Sequence, residues 1–466
     1  MTSELPLGFV VKLNRKMRVE DNGLALIGGA PTRVLYISEA ARSRLCNGTI
    51  KVTDQISSEL ADRLLELGMA DPVVAELPEW TESAITFVVP VRDRALSLER
   101  LLTSIGAEQK IIVVDDFSRN PQPIAEITKR HGGQLIALTE NVGPAGARNA
   151  GLEFVNTPYV VFVDSDVRLS SEVVPVLLKH FNDPKVALVA PRISGFVEDG
   201  HHNWISRYED SRSSLDLGRY PATVRPHSPV SWLPSAFIIA KVSALGSGFT
   251  PHMRVAEDVD LIWRLAEQGW RIRFEPSVEV KHEHRIKFGD WFSRKVFYGT
   301  GADSLAKRHG DKVAPALLAP WSAGVLIALL AQQKWSVPLA ILLSLMTALR
   351  IARRLPRSKH PLSLSMWLTF SGVVSALGQL VELLLRHWWP LALLGCLFSA
   401  QIRYAVIAAA TFNIVMEYKH RDTKLDPIRF ALLRRLDDVA YGTGLWLGAI
   451  RGRSIQALMP KIRRAT

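Results

Sequence analysis

Cysteine is almost absent: Cys46 and Cys396 are the only two in 466 residues, and they lie in stretches of unlike composition. A disulfide framework or a cysteine-held zinc site is therefore excluded as an organising device, and a reducing compartment is the default. Met1 to Arg18 lacks a sustained apolar core, so no export signal is expected there. No Gly-x-Gly-x-x-Gly follows the first strong strand pattern, which counts against a dinucleotide, and no Gly-Lys-Ser/Thr phosphate loop is present. No Ser/His/Asp or Cys/His arrangement is evident, so covalent nucleophilic catalysis has no agent. Acidic residues are outnumbered, 45 against 57 Lys and Arg, for a net charge of +12. Such an excess fits nucleic acid, an anionic substrate or an anionic membrane surface. The basic residues crowd beside apolar runs after Ala314, which favours a membrane and disfavours nucleic acid.

What is present reads as several domains, on a prior of about 100–200 residues each. Residues 1–80 carry short strand patterns at Phe9-Val10-Val11, Met17 to Glu20, Leu24 to Ile27 and Arg33 to Ile37, then helices over Glu39 to Leu45 and from Asp54 to Leu67-Gly68. This small α+β unit has no acid/base or metal-ligand cluster and reads as a docking or regulatory domain, followed by a linker from Asp71-Pro72 to Trp80.

Residues 81–312 alternate buried strands with helices. The pattern Ala84 to Val91, with Pro90, leads into polar Arg92-Asp93-Arg94 and a helix on Leu96, Leu98, Leu101 and Leu102; Lys110 to Val114 ends on Asp115-Asp116. Carboxylates at the carboxyl ends of such strands are how an open α/β sheet presents a nucleotide crevice. Asn141 to Gly151 opens a helix of small residues, which permit close backbone approach to a ligand, and its Arg148 pairs with a phosphate or with a site carboxylate. The apolar run Tyr159 to Val163 then stops on Asp164-Ser165-Asp166. Alternate residues of a strand share one side, so Asp164 and Asp166 can face one divalent cation; the competing reading is a strand end that caps the next helix. Arg254 to Leu265 reads as a helix entered through Glu257, Asp258 and Asp260, and the acids also suit its dipole. His282 and His284 close the domain as candidate third ligands. Trp232 and Trp263 fit sugar stacking or core packing, the latter favoured for Trp263.

This order of parts resembles the inverting GT-A nucleotide-sugar transferases of glycosyltransferase family 2, over about 230 residues. The resemblance rests on Val89-Pro90, Val114 to Ser118, Asn141 to Gly151, Asp164-Ser165-Asp166, Glu257-Asp258 with Arg264, and His282. It implies an α/β GT-A catalytic domain in which Pro90, Arg92, Asp115, Asp116, Arg148 and Asp164 face the nucleotide sugar. It further implies Mg²⁺ or Mn²⁺ on Asp164, Asp166 and His282, catalysis by Asp258 beside Glu257, and an acceptor site with Trp232 and Arg264. Those roles suit the chemistry, since a departing diphosphate needs its charge neutralised and an acceptor hydroxyl needs a carboxylate for its proton.

Residues 313–416 hold four apolar runs, Ala314 to Ala331, Trp335 to Leu349, Met366 to Leu385 and Trp388 to Val415, expected as membrane helices. Arg350, Arg353, Arg354, Arg357 and Lys359 place the intervening loop, and with it the catalytic domain, in the cytoplasm of a multi-pass arrangement. Glu382 and Arg403 inside the runs are expected to face protein or each other. Residues 417–466 read as a basic amphipathic tail, with Arg429, Arg434 and Arg435 among apolar neighbours.

The whole chain resembles the glycosyltransferases of the mycofactocin pathway, most tellingly in Trp232 to Ala236, Glu257 to Leu265 and Gly269 to Pro276. Residues 1–80 resemble peptide-recognition domains, as in Leu67 to Pro72. The resemblance implies β-linked transfer of glucose from UDP-glucose to a peptide-derived redox cofactor or its precursor, with the precursor peptide as a partner of the N-terminal domain. A polysaccharide synthase of the same fold and a catalytically dead membrane-anchored binding protein are the competing readings.

Overall fold

The structure is a computed structural model that describes residues 4–80, 84–106, 108–198 and 200–463. It has two compact units: Met1–His201 with Ser213–His284, and His202–Arg212 with Arg285–Thr466.

The first unit is built on a nine-stranded sheet. Gln134–Ala137, Lys110–Asp115, Ile85–Val91 and Tyr159–Val163 lie side by side and parallel, joined by the helices Ala95–Ile105, Gln122–Arg130 and Gly143–Leu152. Phe237–Lys241 runs antiparallel to Tyr159–Val163, and the sheet continues through Val186–Phe196 to Arg271–Glu283 and the short Val167–Arg168. Parallel strands covered on both faces read as unbroken apolar runs rather than alternations. All five residues of Tyr159–Val163 are accordingly buried, within a core that includes Phe87, Leu98, Val113 and Phe237. Consecutive parallel strands deliver their carboxyl ends to one edge, and Asp93, Asp115-Asp116 and Asp164 to Asp166 follow there.

The small residues of Gly143–Leu152 serve packing. A Cβ on Gly151 would stand 2.4 Å from Val88 Cγ1 and 3.0 Å from Val114 Cγ2, so this glycine lets the helix lie directly on the sheet. The expected ligand approach is thus replaced, at this position, by helix–sheet contact.

The N-terminal module carries two three-stranded sheets, Thr49–Lys51, Val10–Leu13 and Ala70–Pro72 in one, and Arg18–Glu20, Ala25–Gly28 and Arg33–Tyr36 in the other. Asp71-Pro72, expected in a linker, instead pairs as an edge strand with Val11 and Lys12, where a proline is tolerated. Asp54 and Ser57 form a capping box for helix Gln55–Leu67, and left-handed Gly68 (φ 66°) ends it. That helix is fastened to the catalytic sheet. Asp62 accepts from Lys185 Nζ at 2.8 Å and Arg271 Nη2 at 2.7 Å, while Arg225 donates to the terminal carbonyls of Glu66 (2.6 Å) and Leu67 (2.9 Å). A guanidinium on orphan C-terminal carbonyls satisfies them and complements the helix dipole.

In the second unit, Phe288–His309 and Pro427–Gly452 meet through glycines. A Cβ on Gly299 would lie 2.2 Å from Tyr441 O, and one on Gly444 2.0 Å from Val296 O, so the backbones touch as in small-residue seams. Helix 288–309 therefore groups with this unit, and the domain boundary expected at 312 falls near 284. The tail is not an interfacial amphipathic helix along its length: Arg434 is fully buried and bonds Glu382, Glu417 and Asp438, while Tyr208 donates to buried Asp437 at 3.0 Å. Glu382 thus faces Arg434 rather than Arg403, which donates to Cys396 O at 2.8 Å. The run expected as one span over 388–415 breaks at Ser399, whose extended backbone (φ −135°, ψ 120°) caps the following helix and leaves Trp389–Phe398 and Ala400–His420. Among the described residues, one helix, Pro361–His387, is long and apolar enough to cross a membrane, and Pro320–Leu330, Ser336–Ala352 and Trp389–Phe398 are shorter apolar helices. Helix length thus gives one candidate span among the described residues where four were expected.

Asp71 yields a prediction. Burial pushes its carboxyl up to about 7, against the pull of Arg273 and with the help of Glu275. The folded state then binds more protons than the unfolded chain between about pH 4 and 7, so stability falls as pH rises through that window. Asp71→Asn should flatten this fall, raising the thermal midpoint relative to wild type at pH 8 but not at pH 4, by at most about 4 kcal/mol in unfolding free energy.

Candidate active site

Three turns at the carboxyl edge of the sheet carry the acids, and each is held differently. Asp115 is buried, and its Oδ1 accepts from Ser118 N (3.1 Å) and Oγ (2.5 Å). Asp116, also buried, accepts from Val142 N at 2.8 Å, Gly143 N at 3.0 Å and Asn141 Nδ2 at 3.1 Å. Both carboxylates expected on the nucleotide side thus hold the loops that frame it. Between them and the turn stands Phe117, 54% exposed at φ 60°, an aromatic ring in a conformation uncommon for its type. It lies within the Val114 to Ser118 stretch on which the family resemblance rests. Pro90 lies within the first parallel strand, and Arg92 is exposed just beyond its end.

Asp164, Asp166 and His282 come together. One ligand atom from each lies within 4.8 Å of the others, and His282 Nε2 is 3.3 Å from Asp166 Oδ1. Pairing of Val167 with His282 across the antiparallel Val167–Arg168 and Arg271–Glu283 strands sets this approach. His284 is placed against Gly195, where an added Cβ would stand 1.8 Å from its Cε1 and Nε2. Two carboxylates and an imidazole are a fitting donor set for Mg²⁺ or Mn²⁺.

Arg148 lies behind this cluster. Its side chain is only 3% exposed; Nη2 donates to Asp164 Oδ1 at 2.6 Å and Nη1 to Glu257 Oε1 at 2.9 Å. The two carboxylates hold its pKa above the ordinary guanidinium value against the opposing cost of burial. A guanidinium so enclosed is a strut between two acids, not a surface for a ligand, which revises the nucleotide contact expected of it.

Helix Glu257–Glu267 begins after Ala256 in the left-handed region (φ 64°), a strained entry for a residue with a Cβ. Asp258, half-buried at its first turn, accepts from Ser235 N at 3.3 Å and Val259 N at 2.8 Å. Desolvation foremost, then the charge of Glu257, pushes its carboxyl up to about 7, opposed by Val259 N–H, Arg148 and Ser235 N–H. A carboxylate poised near neutrality is matched to proton abstraction. Arg264, expected at the acceptor, spends its guanidinium on Asp260 Oδ2 (3.0 Å) and Gly248 O. Trp263 is buried and donates to Ser231 O at 2.7 Å, whereas Trp232 is half-buried.

Residues 86–240 match the model of the family described as "Glycosyl transferase family 2". Over its full extent the chain is 42% identical to the "Pre-mycofactocin glycosyltransferase" of Mycobacterium tuberculosis strain H37Rv, covering 99% of each. The chain belongs to the pre-mycofactocin glycosyltransferases. A poly-β-1,6-N-acetyl-D-glucosamine synthase of Staphylococcus aureus strain COL is similar over a narrower stretch, 24% identical across 41% of this chain and 48% of its own. Among solved structures, a mannosyltransferase of Pyrobaculum calidifontis in complex with GDP-Man and Mn²⁺ aligns with 65% of this chain and 90% of its own, at 19% identity and a TM-score of 0.37.

In this glycosyltransferase, removing the strut leaves two acids without their shared counter-ion. Arg148→Met should lower the unfolding free energy by about 3–5 kcal/mol, read as a drop in thermal midpoint, and Arg148→Lys should recover part of the loss.

Proposed function

We propose that the protein is an inverting, divalent-metal-dependent hexosyltransferase that moves glucose from UDP-glucose, in β linkage, onto the peptide-derived cofactor mycofactocin or its precursor. The observation that carries this is the pairing of the Asp164, Asp166, His282 cluster with a base-poised Asp258, tied together through Arg148 and Glu257. Glucose, the acceptor and β linkage rest on the family to which the chain belongs.

The Asp258 carboxylate takes the proton of the acceptor hydroxyl. As that O–H bond breaks, the oxygen forms a bond to the anomeric carbon, while the bond from that carbon to the diphosphate oxygen breaks and its electron pair leaves with UDP. One displacement inverts the centre and needs no enzyme nucleophile. A divalent cation on Asp164, Asp166 and His282, when bound, neutralises charge on the departing diphosphate. Arg148 fixes Asp164 and Glu257 relative to each other, and Glu257 in turn keeps Asp258 basic.

The protein works at a membrane in this reading, with its catalytic unit cytoplasmic and helix Pro361–His387 embedded. Exposed Ile341, Leu345, Phe370, Leu393 and Phe398 on the helices of the second unit support it, as does the basic loop Arg350 to Lys359. In the N-terminal module, helix Gln55–Leu67 is already engaged, through its Asp62 by Lys185 and Arg271 and at its terminal carbonyls by Arg225, so a precursor peptide would add to an edge of the sheet Arg18–Glu20, Ala25–Gly28, Arg33–Tyr36.

Asp258→Asn should cut transfer roughly 10²–10⁴-fold while leaving UDP-glucose binding intact. Because the base works deprotonated, the wild-type rate should rise with pH through about 7 and be lost below it. Turnover like wild type in the variant would remove Asp258 from the mechanism. For the acceptor, extracts of cells with and without the protein, compared by mass spectrometry, should differ in hexose increments on the cofactor; identical increments would reject it.

A further inference from the structure

The two carboxylates of the metal cluster carry arginines of opposite character. Arg148, on Asp164, is enclosed and doubly bonded. Arg94, which donates to Asp166 Oδ2, has a side chain 39% exposed and reaches its partner from the rim. Its backbone, by contrast, is fixed on both sides. Asp93 before it stands at φ 56°, donates from its N–H to Ser118 Oγ at 2.9 Å, and accepts at its carboxylate from Arg119 N at 2.8 Å and Nε at 3.0 Å. Arg94 O accepts the first bond of helix Ala95–Ile105, from Leu98 N at 3.0 Å. A fixed root with a partly exposed side chain is the arrangement of a charge that can change partners without moving the chain.

We propose that Arg94 is a built-in counter-ion of the metal site, seated on Asp166 until a divalent cation binds and then turned to an oxygen of the nucleotide diphosphate. This rests on the assignment of Asp164, Asp166 and His282 to a metal made above. The other oxygen of Asp166 already faces His282 Nε2 at 3.3 Å, so a cation entering between them arrives beside the guanidinium. Like charges that close in a partly buried pocket repel, and the exposed partner is the one free to leave. Its charge remains within a side chain's length of the site, where the anionic diphosphate supplies the new partner and bidentate geometry suits a guanidinium. Arg94 therefore competes with the metal and cooperates with the nucleotide.

Those opposite signs are measurable on the full-length protein without any acceptor or turnover. Mn²⁺ binding in the absence of nucleotide is followed by the electron paramagnetic resonance of free Mn²⁺, and UDP binding at saturating Mn²⁺ by calorimetry. Arg94→Gln should bind Mn²⁺ roughly three- to ten-fold more tightly and UDP roughly three- to ten-fold more weakly, the scale of one partly exposed ion pair. Arg94→Lys should fall between the variant and wild type in both. Mn²⁺ affinity unchanged or weakened in Arg94→Gln, or UDP affinity unchanged, would overturn the proposal. Asp166→Asn separates the two levels. If it abolishes Mn²⁺ binding and Arg94→Gln fails to tighten it, the role of Arg94 alone falls; if it leaves Mn²⁺ binding untouched, the metal assignment falls and takes this role with it.

Discussion

Two carboxylates set one residue apart at the end of a fully buried strand repel each other, and the site is arranged around neutralising them. Tyr159–Val163 is locked by strands on both sides, so Asp164 and Asp166 cannot separate by moving the backbone. Positive charge must come to them. Arg148 arrives from a helix that a glycine allows to lie on the sheet and Arg94 from the turn after the first strand, while the His282 imidazole is brought alongside by a strand paired across Val167. Each is delivered by a different element. The constraint therefore couples helix packing, turn geometry and strand register to one pair of oxygens.

The same constraint extends to Asp258, the proposed base. Arg148 holds Glu257 as well as Asp164, and a fixed Glu257 next to Asp258 is one cause of the latter's raised proton affinity, second to burial. The electrostatics of the Asp258 carboxyl are thus linked to the candidate metal cluster through a single enclosed side chain. The displacement we propose needs both charge neutralisation and proton removal, and the linkage would keep the two in register.

Much of this was legible in the sequence. Apolar runs ending on acids mark parallel strands because both sheet faces are covered, and Asp164-Ser165-Asp166 follows from that pattern, whereas the roles expected of Asp258 and His282 came from the resemblance to the family. The sequence did not show how charges are spent. Arg148, Asp116 and Arg264 are residue types that bind ligands, yet each is consumed by the protein itself, and only three-dimensional neighbours reveal that. Of His282 and His284, it is His282 that lies with Asp164 and Asp166, because strand register sets it opposite Val167. In the second unit, Arg434 looks amphipathic in a linear reading because Glu382 and Glu417, its partners, belong to other helices. Short strands such as Ala70–Pro72 escape pattern recognition because their pairing, rather than their composition, makes them strands.

The most direct measurement is the anomalous diffraction signal of Mn²⁺ in crystals of the protein grown with UDP. The account predicts one strong peak with a carboxylate oxygen of Asp164 or Asp166 and the His282 imidazole as protein ligands, at about 2.0–2.6 Å, and Arg94 turned away from Asp166 toward the diphosphate. A Mn²⁺ peak with no ligand from those three residues would contradict it.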